Sequence, residues 1–288
     1  MHTREAAPEA SILKLGMTYP LPIERIRRFA NCVEHCVVIE EGDPYLFEAV
    51  RAAGIHIEGR PEMFRFGELS VDRVRRILAS DTSPEVTPPP GKPPELCPGC
   101  PHRSAFTALR NLDCIVASDI GCYTLGVLPP FQAVDTCVCM GASIGVGLGL
   151  RHSLPPDQAR RVVSTIGDST FVHSGITGLV EMIYNPPSSG HVVVILDNGT
   201  TAMTGLQEHP GTGRTLEHQP TGKVVIEEVV RSLGIANVHV IDPTINPDAF
   251  QNLVTASLAK DELTVIIARR NCLLTTNCTH NWPRRLSR

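Results

Sequence analysis

"VVSTIGDSTFVHSGITGLVEMIYN" (residues 162–185), followed by "HVVVILDNGTTAMTG" (191–205), decides the class of fold. An apolar run, VVSTIG, breaks at Gly167 and Asp168. A helical stretch follows, and a second apolar run, HVVVIL, breaks at Asp197, Asn198 and Gly199. Strands that are apolar on both faces and separated by a helix belong to a parallel sheet covered on both sides. The alternation spreads outward. Upstream, "HRSAFTALRNL" (102–112) reads as a helix, "CIVASDIG" (114–121) as a strand, "DTCVCM" (135–140) as a buried strand and "ASIGVGLGLRHS" (142–153) as a Gly-rich helix. Downstream, "VVIEEVVRSLG" (224–234) and "PDAFQNLVTASLA" (247–259) read as helices, and "NVHVID" (237–242) and "LTVIIARR" (263–270) as strands. The predicted fold class is α/β, a parallel sheet with helices on both faces.

The chain has 288 residues, enough for one large or two small domains. "DTSPEVTPPPGKPPELCPGCP" (81–101) is dense in proline and reads as a linker. Before it, "ILKLGM" (12–17) and "CVVIEEG" (36–42) are strand candidates. "PIERIRRFANCV" (22–33), "PYLFEAVRAAG" (44–54) and "VDRVRRILAS" (71–80) have helical spacing. The expected organisation is a small α/β domain over 1–80, a Pro-rich linker over 81–95, a main domain over 96–272 and a disordered tail over 273–288. The net charge of −4 argues against a nucleic-acid partner held by bulk charge. No apolar run reaches the ~18 residues of a membrane span. The N-terminal "MHTREAAPEA" lacks the apolar core of a secretory leader, so the expected location is the cytoplasm.

In open parallel sheets, ligands sit at the carboxyl ends of the strands. Asp168 follows one strand there and Asn198 follows another. A carboxylate, an amide carbonyl and a nearby backbone carbonyl are the hard oxygen ligands that Mg²⁺ takes. Ser169 and Thr170 open the next helix, where N–H groups and the helix dipole suit a phosphate oxygen. Together they suggest a metal-bridged diphosphate site. Taken singly, Asp168 reads as a helix cap and "DNG" as a turn; their pairing on consecutive strand ends favours the site. His102 is a candidate contact to cofactor or substrate carboxylate, with Arg103 as a charge partner. His173, one helical turn beyond Asp168, is a candidate for orienting substrate. Gln207, Glu208 and His209 lie in a Gly/Pro-bounded loop (205–213) placed to close over the site.

Ten cysteines stand out and, in a cytosolic chain, do not make a disulfide scaffold; several are expected as buried small hydrophobes. "CPGC" (97–100) alone fits zinc, redox or iron–sulfur chemistry. Cys137 and Cys139 alternate along a strand, so at least one is expected in the core.

Five blocks in order carry a family resemblance: "CPGCPHRSAF" (97–106), "SDIGCYTLG" (118–126), "DTCVCMGASIG" (135–145), "GDSTFVHSG" (167–175) and "LDNGTTAMTG" (196–205). They resemble the thiamine diphosphate-dependent 2-oxoacid:ferredoxin oxidoreductases, most closely the indolepyruvate:ferredoxin oxidoreductase alpha subunits. The N-terminal "LKLGMTYPLP" (13–22) and "VIEEGDP" (38–44) resemble the middle, transketolase C-terminal-like domain of that subunit. The resemblance implies a thiamine diphosphate-binding fold over 96–272. It implies Mg²⁺ held by Asp168, Asn198 and the carbonyl of Thr200, with Gly167, Ser169, Thr170, Thr201, Ala202 and Met203 along the diphosphate. Cys122 and Tyr123, with Gly141, Ala142 and Ser143, would approach the cofactor rings, and Gly141 and Gly145 would allow close backbone approach. "GASIGVGLG" (141–149) equally reads as a tightly packed helix. Cys97, Cys100, Cys122 and Cys272 would supply the four thiolates of a [4Fe–4S] cluster; a structural zinc site or unligated thiols are the alternatives.

The implied reaction is oxidative decarboxylation of an aryl-2-oxo acid, with coenzyme A taking the acyl group and ferredoxin the electrons. In such enzymes the carboxylate that activates the cofactor lies in a separate pyrimidine-binding domain, which this sequence does not contain. The expected setting is therefore an oligomer with a pyrimidine-domain partner and a beta subunit. A non-redox decarboxylase or carboligase component, or a truncated cofactor-binding fragment, are the alternatives.

Overall fold

A helix or strand forms here where an apolar stripe finds a surface to cover, and the two halves of the chain differ in what they offer. The computed structural model describes residues 2–85 and 91–278, so positions 86–90 of the Pro-rich linker lie outside the described residues. The chain divides into two units, Met1–Gly91 and Lys92–Arg288.

In the first unit, helices α1 (His2–Ala6), α2 (Ile23–Ala30), α3 (Tyr45–Ala52) and α4 (Val71–Leu78) are joined by loops and a 3₁₀ turn over Glu62–Phe64. One small core gathers Ile26, Val50, Ile55 and Ile57, and another Phe64, Leu69, Val74 and Ile77. The expected strands do not form. Residues 12–17 carry none, and 36–42 contributes a single parallel bridge, Val37 to Glu58. Leu13, Leu15 and Val38 pack half-buried against the helical core, and their apolar character is satisfied without a ladder.

The second unit runs α5 (Pro101–Asn111), β1 (Ile115–Ser118), a 3₁₀ turn (Cys122–Val127), β2 (Thr136–Cys137), α6 (Ala142–Ser153), α7 (Pro156–Ala159) and β3 (Val162–Gly167). The helix after β3 begins as α8 (Asp168–Thr170), passes through a π turn (Phe171–Gly175) and continues as α9 (Ile176–Tyr184). Then come β4 (His191–Asp197), α10 (Ile226–Ser232), β5 (Asn237–Ile241), α11 (Pro247–Leu258), β6 (Leu263–Arg269) and α12 (Leu273–Cys278). The six strands are parallel, in the order β2-β1-β3-β4-β6-β5. Alternate β4 residues serve opposite faces. Val192 and Val194 join Phe106 of α5 and Phe250 of α11; Val193 and Ile195 join Ile144 of α6, Leu179 of α9 and Val230 of α10. Each face thus has its own core, as the unalternating apolar strands require.

In the second unit two further expectations are corrected. "DTCVCM" is not a buried strand: β2 is a two-residue edge strand, Val138 and Met140 are exposed, and so are both Cys137 and Cys139. An edge strand with one neighbour has no second surface to bury it. The tail is helical over Leu273–Cys278, and 279–288 lie outside the described residues. Among the described residues no helix is long and apolar enough to cross a membrane.

Candidate functional site

The strand order reverses between β1 and β3, with β2 beyond one and β4 beyond the other. Loops leaving the carboxyl ends of these two strands diverge and open a crevice, the usual ligand position in such sheets. Asp119, one residue past β1, is fully buried there. Its Oδ1 accepts the N–H of Ile120 at 3.1 Å and of Gly141 at 2.8 Å, and its Oδ2 accepts that of Ser143 at 3.3 Å. Asp119 therefore caps α6 from another element, supplying the acceptor that the helix's own N-terminus lacks. Gly141 stands at φ +90°, a left-handed conformation that glycine adopts without strain. The buried Ser143 Oγ has no hydrogen-bond partner.

Across the crevice, Asp168 is 3% exposed. Its Oδ1 accepts the N–H of Ser169 and its Oδ2 that of Gly199, both at 2.8 Å. This ties the ends of β3 and β4 together and sets Asp168 beside buried Asn198 and Thr200. Asn198 Oδ1 accepts the Thr200 N–H at 3.1 Å, and Thr201 Oγ1 donates to Ser169 Oγ at 2.9 Å. Behind them, Arg269 Nε donates to Asp197 Oδ2 at 2.7 Å, while its two Nη atoms grip Glu227 at 3.0 and 2.6 Å. Burial pushes the Asp197 carboxyl up, Arg269 pulls it down, and the neighbouring Asp168 pushes it further up.

Beside this acidic cluster lies a cleft lined by Cys97, Cys100, Cys122, Cys272, His102 and Asn198. Residues from four segments meet because Cys97 and Cys100 precede α5, Cys122 opens the turn after β1, and the Cys272 N–H donates to the Asn198 carbonyl at 2.9 Å. The Cys100 thiol is pushed up to about 11, first by burial and then by the proximity of Cys97, Cys122 and Cys272, against a lowering from the His102 N–H. Among the described residues no three His, Cys, Asp or Glu side chains are drawn together closely enough to hold a metal ion. The four thiols share a cleft without being gathered onto one point. His102 is 3% exposed, and its Nε2 lies 3.5 Å from Asn198 Nδ2. Burial holds its pKa down to about 4, against the pull of Asp168, so it is a neutral imidazole.

The sequence-predicted residues therefore fall into three groups. Gly167, Asp168, Ser169, Thr170, Asn198, Thr200 and Thr201 meet at the ends of β3 and β4, and Gly141, Ala142 and Ser143 open α6. The four cysteines share the cleft with His102. Ala202 lines that same cleft, and Tyr123 packs against Gly167, while His173 and Met203 lie apart. His173 is exposed on the π turn, Met203 is half exposed, and Ala202 is partly buried. Tyr123 belongs to the core, its phenol donating to the Ile120 carbonyl at 3.0 Å and its ring meeting His102 edge-on. Arg103 donates to the Leu96 carbonyl at 2.7 Å and stacks over Phe131. Gly145 has nothing within 4 Å of a hypothetical Cβ, whereas Gly147 packs directly on Ser164 and His191. Asp119, Asp197, Arg269 and Glu227 were missed by sequence reasoning. The available signal was an acid just past a buried strand, as in "ASDIG" and "VILDNG".

Residues 119–268 match the family model described as thiamine pyrophosphate enzyme, C-terminal TPP binding domain. Over most of its length the chain is similar to proteins named indolepyruvate oxidoreductase subunit IorA. The one from Pyrococcus horikoshii is 38% identical over 91% of this chain and 45% of that protein; the one from Archaeoglobus fulgidus is 37% identical over 95% and 47%. The chain thus spans about half the length of these curated relatives. The fold is shared with a 2-oxoglutarate:ferredoxin oxidoreductase from Magnetococcus marinus, with a TM-score of 0.51 and 16% identity over 61% of this chain and 63% of that one.

Proposed function

Because the chain belongs to the thiamine pyrophosphate enzymes through its C-terminal TPP-binding domain, we propose that it is the cofactor-holding component of an oxidoreductase. Its reaction would be the oxidative decarboxylation of aryl-2-oxo acids of the indolepyruvate kind, in company with further subunits. The observation that carries the reading is the meeting of Asp168, Asn198 and Thr200 at adjacent strand ends, beside a cleft lined by four cysteines. The donors suit the groups. Asp168, Asp197 and Glu227 outnumber the single guanidinium of Arg269 among them, an acidic excess that a divalent cation would offset. One buried polar atom near the crevice, Ser143 Oγ, lacks a hydrogen-bond partner, as ligand-contacting groups do.

On this reading, Asp168, Asn198 and the Thr200 carbonyl hold Mg²⁺, and Ser169, Thr170 and Thr201 receive the diphosphate. Thiamine diphosphate, when bound, supplies the stabilisation of negative charge that lets a 2-oxo acid lose CO₂. The protein's own part is placement. Asp119 fixes the start of α6, so that Gly141 to Ser143 present a rigid backbone. His102, kept neutral, offers an uncharged imidazole beside Asn198 and does not repel a metal ion. Cys97, Cys100, Cys122 and Cys272, which line the neighbouring cleft, would be the soft donors of a [4Fe–4S] cluster once drawn together around it, and such a cluster would supply one-electron chemistry beside the cofactor site. Coenzyme A, ferredoxin, a beta subunit and a pyrimidine-domain partner complete the proposal.

Anaerobic purification tests it. Iron and acid-labile sulfide in equal amounts, a broad visible absorbance, and Mg²⁺-dependent binding of thiamine diphosphate are expected. No cofactor binding, with or without partner subunits, refutes the reading of the strand ends. A colourless, iron-free protein that still binds the cofactor removes the cluster and leaves a non-redox decarboxylase or carboligase component.

A further inference from the structure

His209 sits where the loop after β4 folds back toward the strand ends. The loop is shaped by its own contacts. Thr201 and Gln207 exchange backbone hydrogen bonds at 3.1 and 3.2 Å, and the largely buried Glu208 carboxylate takes both Arg214 and His218. The His209 side chain is 1% exposed and faces Asp168. The Gly211 N–H donates to its Nδ1 at 3.2 Å, which leaves the ring proton on Nε2. Nε2 lies 3.2 Å from Asp168 Oδ2, close enough for an ion pair but off the axis of a proper hydrogen bond, so it counts as a buried donor without an aligned acceptor. Such groups are rare and call for a reason.

Asp168 is held on one side by the N–H groups of Ser169 and Gly199; the Asp197 carboxyl also reaches it, and His209 is the imidazole that faces its Oδ2. We propose that His209 is a positioning residue: it holds Asp168 in the orientation that receives the cation and couples the 205–213 loop to the loaded site. The inference rests on the reading of Asp168 as a Mg²⁺ ligand. Outer hydrogen-bond partners of ligating carboxylates typically contribute about 10–100-fold to metal affinity. Gly211 gives an independent handle. A Cβ there would stand 2.9 Å from His209 Cε1 and 3.2 Å from Nδ1, so Gly211→Ala displaces the ring and leaves the imidazole in the chain.

The test is calorimetric titration of the full chain with Mg²⁺–thiamine diphosphate, alongside limited trypsin cleavage after the half-exposed Arg214. His209→Ala is expected to weaken binding by about 10–100-fold. Gly211→Ala is expected to weaken it less, and His209→Gln, which keeps a donor at the same reach, to recover most of the loss. In the wild type, Mg²⁺–thiamine diphosphate protects the Arg214 bond; in His209→Ala that protection is lost even at saturation. Should His209→Ala fail to fold by circular dichroism, the Gly211→Ala and His209→Gln proteins decide. Wild-type affinity and protection in Gly211→Ala and His209→Ala overturn the inference while leaving Asp168 as a ligand. A His209→Gln protein as weak as His209→Ala overturns the donor role. No binding by the wild type overturns the Asp168 reading and this inference with it.

Discussion

Acidification should destabilise this protein in a way that one buried histidine makes measurable. His191 opens β4 and is fully buried. Arg151 Nε donates to its Nδ1 at 3.2 Å, so the ring proton sits on Nε2, which lies 2.9 Å from Ser164 Oγ. Ser164 in turn donates to the Ser143 carbonyl at 2.9 Å, on the first turn of α6. Burial, then the Arg151 cation, then His152 push the His191 pKa down to about 3, and burial takes His102 down to about 4, from an ordinary value of 6.5. Between those values and 6.5 the unfolded chain binds protons that the native protein refuses, so stability rises with pH. The contribution is fully present above pH 6.5 and is lost as pH falls towards the folded values. From pH 7 to pH 5 each histidine removes about 2 kcal/mol, and the two together about 4 kcal/mol. Asp197, whose pKa is raised, works in the opposite sense, but it does so equally in wild type and variant. Urea unfolding followed by far-UV circular dichroism at pH 7 and pH 5 measures the loss. His191→Gln should lose about 2 kcal/mol less than the wild type over this range. An equal loss in the two proteins would refute the reasoning, because it would mean that His191 is protonated in the fold or does not differ from the unfolded chain.

Three further outcomes are expected. Asp119→Ala strands three backbone N–H groups and should cost about 3 kcal/mol in unfolding free energy, while Asp119→Asn, which keeps one acceptor, should cost about 1 kcal/mol; equal effects would contradict the capping role. Gly141→Ala must take a side chain at φ +90° and bring a Cβ to 2.5 Å from Ser174 Oγ, so a loss of about 2 kcal/mol or more is expected, together with weaker Mg²⁺–thiamine diphosphate binding by calorimetry. Arg269→Met leaves Asp197 and Glu227 without their shared cation. With the Arg269 side chain 34% exposed, screening limits the cost to about 1–2 kcal/mol; the sign of its salt dependence, smaller in high salt for the wild type–variant difference, checks the electrostatic origin.

The sequence by itself determined the parallel sheet of the second unit and the two acid- and amide-bearing strand ends. Those signals are local. An unalternating run such as HVVVIL requires cover on both faces, and a break into Gly-Asp or Asp-Asn-Gly marks where the strand must stop. Where the signal depended on a neighbour, sequence reasoning failed. The apolar residues of 12–17 and 36–42 found helices to lie on and no strands to pair with, and "DTCVCM" fell at a sheet edge that left Cys137 and Cys139 in solvent. Only the tertiary structure decided that Asp119 caps a helix beginning some twenty positions away, that Arg269 stands between Asp197 and Glu227, and that Cys97, Cys100, Cys122 and Cys272 line one cleft. It alone turned His209 inward onto Asp168. Strand order sets which loop ends share a crevice, and no spacing along the chain records strand order. Residues can be recognised as acids, thiols or imidazoles one at a time, but their partners are assigned by the fold.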